Sequence, residues 1–476
     1  MLALINTNRM VPPIAPLGVE YIAGAARRAG VETTVLDLCL AEQPDHVLED
    51  YFGRHQPQLV GLSFRNVDDC FWPSAESFLQ RLVDDVHLIR PLTDAPIVVG
   101  GVGFSMFPQR IVESAGVEFG IHGDGEQSIV ALYNAIEKQE FANVPGLVYR
   151  RAGTICSNRP AWPTKLTLPV GRDAVDNRTY FRRGGQGGIE TKRGCNRKCI
   201  YCADPLAKGP MVRTRQASEV ADEVEELVHQ GVNVLHLCDS EFNIPREHAF
   251  AVCEELKRRG LGKRVRWYAY LAVVPFDAEL AQIMREAGCI GINFTGDSGC
   301  PAMLHAYRQQ HTREDLATAV KLCRQNTMAV MFDLMLGGPG ETQATAAESI
   351  EYIKQIGPDC AGAALGIRIY PGTGMEKLVM QEGPLEDNPN IVRRYDGPVD
   401  FFRPTFYISQ ALGPRPARLV RDLIAGDQRF FEPIEAAQAH GEPSTDHNYS
   451  DNTELVQAIE NGRRGAYWDI LRKLRQ

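Results

Sequence analysis

Two successive runs of alternating β-type and α-type hydrophobic periodicity fill most of this chain, and that alternation admits few folds. The first run begins with LALINT (Leu2 to Thr7) and the helical PLGVEYIAGAARRAG (Pro16 to Gly30). TTVLDL (Thr33 to Leu38), QLVGLSF (Gln58 to Phe64) and PIVVGG (Pro96 to Gly101) follow, separated by helix-length amphipathic segments. Such alternation builds βαβ units and a parallel sheet, with any ligand expected beyond the carboxyl ends of the strands. Those ends carry SFRN (Ser63 to Asn66), GGVG (Gly100 to Gly103) and HGDGE (His122 to Glu126). Their glycines allow close backbone approach to a ligand, and their polar residues can fix its edge. No GxGxxG opens the first helix, which disfavours a dinucleotide site.

Residues 146–184 are rich in Arg, Pro and Gly and lack sustained periodicity, so they are expected to connect the domain at 1–145 to a second one. From GGIET (Gly187 to Thr191) alternation resumes with NVLHLCDS (Asn233 to Ser240), RVRWYAYL (Arg264 to Leu271), CIGINFTG (Cys289 to Gly296), VMFDLMLG (Val330 to Gly337) and AALGIRIYPGT (Ala363 to Thr373). Six strands of this kind predict a partial or full α/β barrel over 185–395, with its chemistry at the strand ends. The remainder, 396–476, reads as mainly helical.

At 476 residues the chain is long enough for two cores, and 44% hydrophobic with 23% charged residues is ordinary globular composition. It contains no long apolar run and no basic-then-apolar leader, so a cytoplasmic protein without a membrane span is expected. A net charge of −9 with scattered Lys and Arg argues against a nucleic-acid surface. Most of the twelve cysteines stand singly in apolar segments, which fits a reducing compartment. Cys39, Cys238, Cys253, Cys289 and Cys323 read as small buried hydrophobes.

The exception is TKRGCNRKCIYCADP, Thr191 to Pro205, with Cys195, Cys199 and Cys202 in a CxxxCxxC spacing. Thiolates select zinc or iron–sulfur clusters, and a closed structural zinc site takes four ligands. A compact loop can place three thiolates on three corners of a 4Fe–4S cube and leave the fourth iron for a reacting ligand. A zinc site completed by a distant Cys or His is the alternative.

CNRKCIYC, with Tyr201 before the third cysteine, resembles the cluster motif of the radical S-adenosylmethionine (radical SAM) enzymes. The resemblance implies that S-adenosylmethionine chelates the open iron through its amino and carboxylate groups and that one electron cleaves it to a 5′-deoxyadenosyl radical. CDSEFN (Cys238 to Asn243) resembles the family's acidic segment, with Asp239 and Glu241 implied at the S-adenosylmethionine ammonium and Asn243 among the residues implied to bind that cofactor. FTGDSG resembles the ribose segment, through Asp297 and Ser298, although a glutamate is more usual at Asp297. LGGPGET, with Gly337, Gly338 and Glu341, matches the strand end beside the adenine.

A doubly wound domain before such a barrel resembles the cobalamin-dependent branch of this family. The implied fold is α/β: an N-terminal Rossmann-like (flavodoxin-like) cobalamin-binding domain, a partial (β/α)6 radical SAM barrel and a mainly helical C-terminal region. Leu17, Gly18, Ser63, Arg65, Asn66, Gly100, Gly101, Gly123 and Glu126 are the implied cobalamin residues. None of the eleven histidines lies in a DxHxxG signature, so Arg65 is the residue placed nearest the lower face of cobalt. A guanidinium cannot coordinate as a neutral base. The ordinary alternative pairs Arg65 with Asp68 or Asp69. Tyr268, Tyr270, Arg368 and Tyr370 are candidate catalytic residues, expected to face the barrel mouth.

The expected function is methylation of an unactivated carbon of a small-molecule, lipid or peptide intermediate through methylcobalamin and a 5′-deoxyadenosyl radical. In a variant within the branch, an electron-rich ring is methylated without hydrogen abstraction. Ring formation or oxidation without methyl transfer, a methylthiotransferase and a non-catalytic corrinoid carrier are the rivals. A flavodoxin or ferredoxin is the implied electron donor.

Overall fold

The computed structural model describes residues 1–435, 449 and 451–475; the rest of the C-terminal region, 436–448, 450 and 476, lies outside the described residues. The first sheet has seven strands, β1 (Leu2–Asn6), β2 (Thr33–Asp37), β3 (Leu59–Ser63), β4 (Ile97–Gly100), β5 (Phe119–Ile121), β6 (Leu147–Arg151) and β7 (Thr154–Ser157). Their spatial order is β2-β1-β3-β4-β5-β6-β7. The first five are parallel; β6 and β7 run antiparallel. Period-two alternation explains the layers. Ala3, Ile5, Val60, Leu62 and Val99 enter one apolar cluster, while Leu2, Leu4, Leu59 and Val98 enter another. Strand order reverses between β1 and β3, which opens a crevice at their carboxyl ends. The β6–β7 hairpin carries this domain to Ser157, past the boundary expected at residue 145, because it pairs with β5 instead of spanning to the next domain.

The second domain begins with β8 (Gly187–Ile189) and a two-residue strand β9 (Lys192–Arg193) that pairs with β10 (Arg213–Thr214). It continues with β11 (Val234–Leu237), β12 (Arg266–Leu271), β13 (Cys289–Asp297), β14 (Ala329–Leu336) and β15 (Cys360–Leu365). Then follow β16 (Ile367–Arg368), β17 (Ile391–Arg393), β18 (Thr405–Tyr407) and β19 (Phe430–Phe431). The barrel sheet is wholly parallel, in the order β8-β11-β12-β13-β14-β15-β19. One stretch departs from expectation: Ala363 to Thr373 is not a single strand. Gly366, at φ +89°, ends β15, and a Cβ there would lie 3.3 Å from Trp72 and 3.2 Å from Ile408. Beyond it β16 turns into a separate antiparallel sheet with β18 and β17.

The C-terminal region contributes the helices Pro416–Ile424, Thr453–Glu460 and Tyr467–Leu474 and the short β19. It does not stand apart as a domain. Inward-facing residues near the starts of barrel strands, Val234, Tyr268, Met331 and Cys360, pack against Leu455, Ile459, Trp468 and Leu471, so these helices plug the amino-terminal end of the barrel. Among the described residues no helix is long and apolar enough to cross a membrane.

Buried ion pairs lock the two domains together. Arg172, fully buried, reaches Glu20 of the first domain at 2.5 Å and Glu223 of the second at 2.9 Å. Arg368 pairs with Asp68 at 2.9 Å, both side chains 1% exposed.

Candidate active site

The three cysteines lie on the loop between β9 and the helix Asp204–Lys208. Gly194, at φ +90°, turns the chain into this loop, and a Cβ on it would strike the Met211 carbonyl at 2.1 Å. The Cys195 amide donates to Gly209 O, that of Ile200 to Tyr307 O, and that of Met375 to Ile200 O, so the barrel grips the loop at both ends. Burial pushes the Cys199 thiol up to about 11 and raises those of Cys195 and Cys202. Thiols held this way stay protonated at neutral pH until a metal's charge displaces the proton. Among the described residues no three His, Cys, Asp or Glu side chains converge on the geometry of a single ion. Thiolates that each bind a different iron of a cube are spread more widely than ligands of one ion, so this spread is compatible with a cube. Tyr201 Oη donates to Asp297 at 2.6 Å; Gln309 Nε2 joins that carboxylate and lies 3.3 Å from Cys199 Sγ.

The residues implied for S-adenosylmethionine divide sharply. Asp239 is committed to its own fold: it accepts from the Thr191 and Lys192 amides and from Thr191 Oγ1, at 2.6 to 3.1 Å. Asn243 is fully occupied by Ala272 and Pro275, and Ser298 by Ser349 and the Cys300 amide. Glu341 holds the Gly337 and Gly338 amides, bracing the glycine turn from behind. Among the described residues Glu241 and Glu341 each keep one buried oxygen without a partner; of the two, Glu241 is the one whose charge reaches Cys195 and Cys199, and Thr295 binds its other oxygen. Burial pushes its carboxyl up to about 8 and that of Asp297 up to about 7. An unpaired buried carboxyl beside the cysteine loop is where a cationic ligand gains most. We expect S-adenosylmethionine affinity to rise with pH through about 8, since Glu241 must lose its proton to accept a hydrogen bond from the S-adenosylmethionine amino group. Glu241→Gln should abolish that dependence and weaken binding about tenfold or more, as measured by equilibrium dialysis on cluster-loaded protein.

Between the domains lies a cleft of about 870 Å³. The first domain supplies Thr7 to Met10 after β1 and Phe64, Arg65 and Asn66 after β3; the barrel supplies His236, Cys238 and Tyr270; the C-terminal region supplies Tyr467 and Trp468. Of the residues implied for cobalamin, Arg65 and Asn66 line this cleft. The others do not. Leu17 packs in the domain seam beside Tyr21 and Leu166, and Gly18 is exposed. Ser63 O accepts from Thr7 Oγ1, Gly100 O from the Phe64 amide, and Gly101, at φ +113°, backs onto Phe64. Gly123 abuts Trp162, and Glu126 is bound through both oxygens by Arg193, two residues before the first cysteine. The HGDGE turn therefore braces the cysteine loop.

Arg65 makes no ion pair among the described residues. Its two expected carboxylate partners are engaged elsewhere, Asp68 by Arg368 and Asp69 by Ser74 and the Phe71 and Glu76 amides. Its charge is felt by Cys238, Tyr270 and Tyr467 across the cleft. Cys238 is consequently no buried hydrophobe; it faces the cleft.

The candidate catalytic residues also part company. Tyr270 lines the cleft, its ring 5.1 Å from that of His236. Tyr268, one period earlier on the same face of β12, sits in the plugged end, donating to Asp469 at 2.7 Å. Arg368 and Tyr370 bind Asp68 in the domain seam, because β16 has already left the barrel. Sequence reasoning missed His236, Tyr467 and Trp468. His236 alternates with Cys238 along NVLHLCDS, a period-two signal placing both on the inner face; no local signal marks the other two. Burial lowers His236 to about 4, so it is neutral in the cleft.

An open three-thiol loop at a barrel's first strand end, facing a flavodoxin-order domain across a large cleft, defines an iron–sulfur enzyme with room for a second bulky cofactor. The family model for the Radical SAM superfamily matches residues 189–353, and that for the B12 binding domain matches residues 5–133. The chain belongs to the radical SAM superfamily, among its cobalamin-dependent methyltransferases. Its cofactors are a 4Fe–4S cluster, S-adenosylmethionine and cobalamin. Tryptophan 2-C-methyltransferase of Streptomyces laurentii is 29% identical over 98% of this chain and 95% of its own. The structure of the radical S-adenosylmethionine methyltransferase TsrM from Kitasatospora setae, with tryptophan and the analogue aza-SAM bound, is 31% identical and superposes with a TM-score of 0.92, over 100% of this chain and 99% of that one. The cobalamin-dependent S-adenosylmethionine radical enzyme OxsB shares the fold at 16% identity, with a TM-score of 0.71 over 86% of this chain and 64% of its own.

Proposed function

We propose that this enzyme methylates a ring carbon of a small aromatic substrate of the indole class, with the corrin ring seated over Arg65 and the substrate in the barrel half of the cleft. The observation that carries the reading is Arg65, a solvent-reachable guanidinium lining the cleft at the switch point between β1 and β3, with no ion pair among the described residues. When bound, cobalamin supplies the methyl group to be transferred, and S-adenosylmethionine at the cluster is its source. Arg65 would lie against the corrin as a group that cannot serve as a coordinating base, since a guanidinium stays charged. Glu241 would orient S-adenosylmethionine by accepting from its amino group. His236 and Tyr270 offer two aromatic rings tilted at 56° to each other for the substrate to pack against, and the plugged barrel end excludes water. Full-length similarity to a tryptophan 2-C-methyltransferase supports the substrate class. We further propose that it works in the cytoplasm with a flavodoxin or ferredoxin as electron donor.

Anaerobic holoenzyme given S-adenosylmethionine with a labelled methyl group and L-tryptophan or related indoles should yield a ring-methylated product. Unlabelled products of altered ring connectivity would overturn the reading. Arg65→His should retain corrin and lower turnover about a hundredfold, the scale of losing one preorganised electrostatic contact; corrin absorption and single-turnover rates measure both.

A further inference from the structure

Among the described residues, three buried polar atoms belonging to residues that line the cleft have no partner: Gln186 Oε1, Tyr467 Oη and Trp468 Nε1. Tyr467 is 5% and Trp468 3% exposed. A buried polar group left unpaired costs stability, and a protein retains such groups where a ligand completes them. Their positions are held firmly. Tyr268 donates to Asp469 at 2.7 Å, the Tyr268 and Trp468 rings meet edge to face at 5.8 Å, and the Gly465 amide donates to Gly185 O at 3.2 Å, beside Gln186. The set comprises an indole N–H that can only donate, a phenol that donates, and an amide oxygen that can only accept. Arg65 faces Tyr467 across the cleft and biases that side toward negative charge.

We propose that this wall recognises the head group of an α-amino acid, with Trp468 Nε1 and Tyr467 Oη donating to the α-carboxylate and Gln186 Oε1 accepting from the α-ammonium. The inference rests on the small-aromatic reading of the same cleft and adds the chemistry that selects a free amino acid over its decarboxylated or deaminated relatives. The aromatic side chain is then directed toward His236 and Tyr270.

The test is equilibrium binding to cobalamin- and cluster-loaded enzyme of L-tryptophan, tryptamine, indole-3-propionate and L-phenylalanine, alongside methylation of each. Wild type should bind L-tryptophan at least about tenfold more tightly than tryptamine. Trp468→Phe and Tyr467→Phe, which keep a ring in place, should each weaken L-tryptophan about tenfold and leave tryptamine within about twofold. Corrin content and circular dichroism report intact folding. Equal weakening of both ligands, no weakening, or no carboxylate-dependent binding by any compound overturns the inference. Tryptamine methylated as efficiently as L-tryptophan would overturn it while leaving indole methylation standing. Carboxylate-dependent binding of L-phenylalanine that the variants lose, with no indole methylated, would keep the inference and remove the indole reading.

Discussion

Replacing Cys195, Cys199 and Cys202 together with alanine should reduce iron and labile sulfide to background and abolish methyl transfer, while the chain stays folded and still binds cobalamin. The expectation follows from where the loop hangs. Its backbone is anchored by amide-to-carbonyl hydrogen bonds with Gly209, Tyr307 and Met375, none of which involves a thiol. The thiols themselves, raised by burial, have little to do in the apoprotein except await a metal. Iron and sulfide analysis, with the cluster absorption band, reads the first effect; corrin retention reads the second. Iron surviving at full stoichiometry would mean that other ligands hold it.

The second large effect concerns the joint between domains. Arg172→Met should destabilise the full-length protein by about 3 to 5 kcal/mol, the cost of stranding buried charges by deleting their partner. Glu223 keeps Arg215 and the Tyr21 hydroxyl, so Glu20, left with Asn177 alone, bears most of the loss. Burial already raises the Glu20 pKa against the pull of Arg172. Without the arginine it should rise further, and a carboxyl whose folded pKa exceeds its unfolded value costs stability above the unfolded value, near 4.3. The penalty should therefore shrink as pH falls toward about 5, and adding Glu20→Gln should recover part of it. Urea unfolding midpoints across pH measure both; a penalty flat with pH would show that Glu20 is not the stranded group.

Much of the architecture could be read from periodicity. The parallel strands of both domains fall within a few residues of LALINT, TTVLDL, QLVGLSF, PIVVGG and the barrel segments, since strands buried on both faces leave a dense apolar imprint. The cysteine loop was equally legible, because metal-ligand spacing is local. What escaped was whatever depends on partners distant in sequence. CDSEFN looked like a pair of ligand carboxylates, yet Asp239 is spent on Thr191 and Lys192, and Glu241 alone keeps an oxygen free. HGDGE looked like a cofactor turn, yet Glu126 answers to Arg193. IRIYPGT looked like a strand end, and a left-handed glycine diverts it into the seam. Such outcomes rest on which neighbour arrives first at a charge, a question that local pattern does not pose.

The composite wall of the cleft also bears on how the enzyme is made. Its lining is drawn from residues 7–15, 64–85, 186–240, 270 and 449–468. Contacts so far apart along the chain form late, since loop closure must precede them. On a ribosome the first domain emerges and folds ahead of the rest. The barrel, by contrast, lacks its plug until the helix at Tyr467 has left the exit tunnel. The corrin and the cluster can thus be sealed against water only once that helix has docked, so the closing of the barrel's base follows the folding of the first domain.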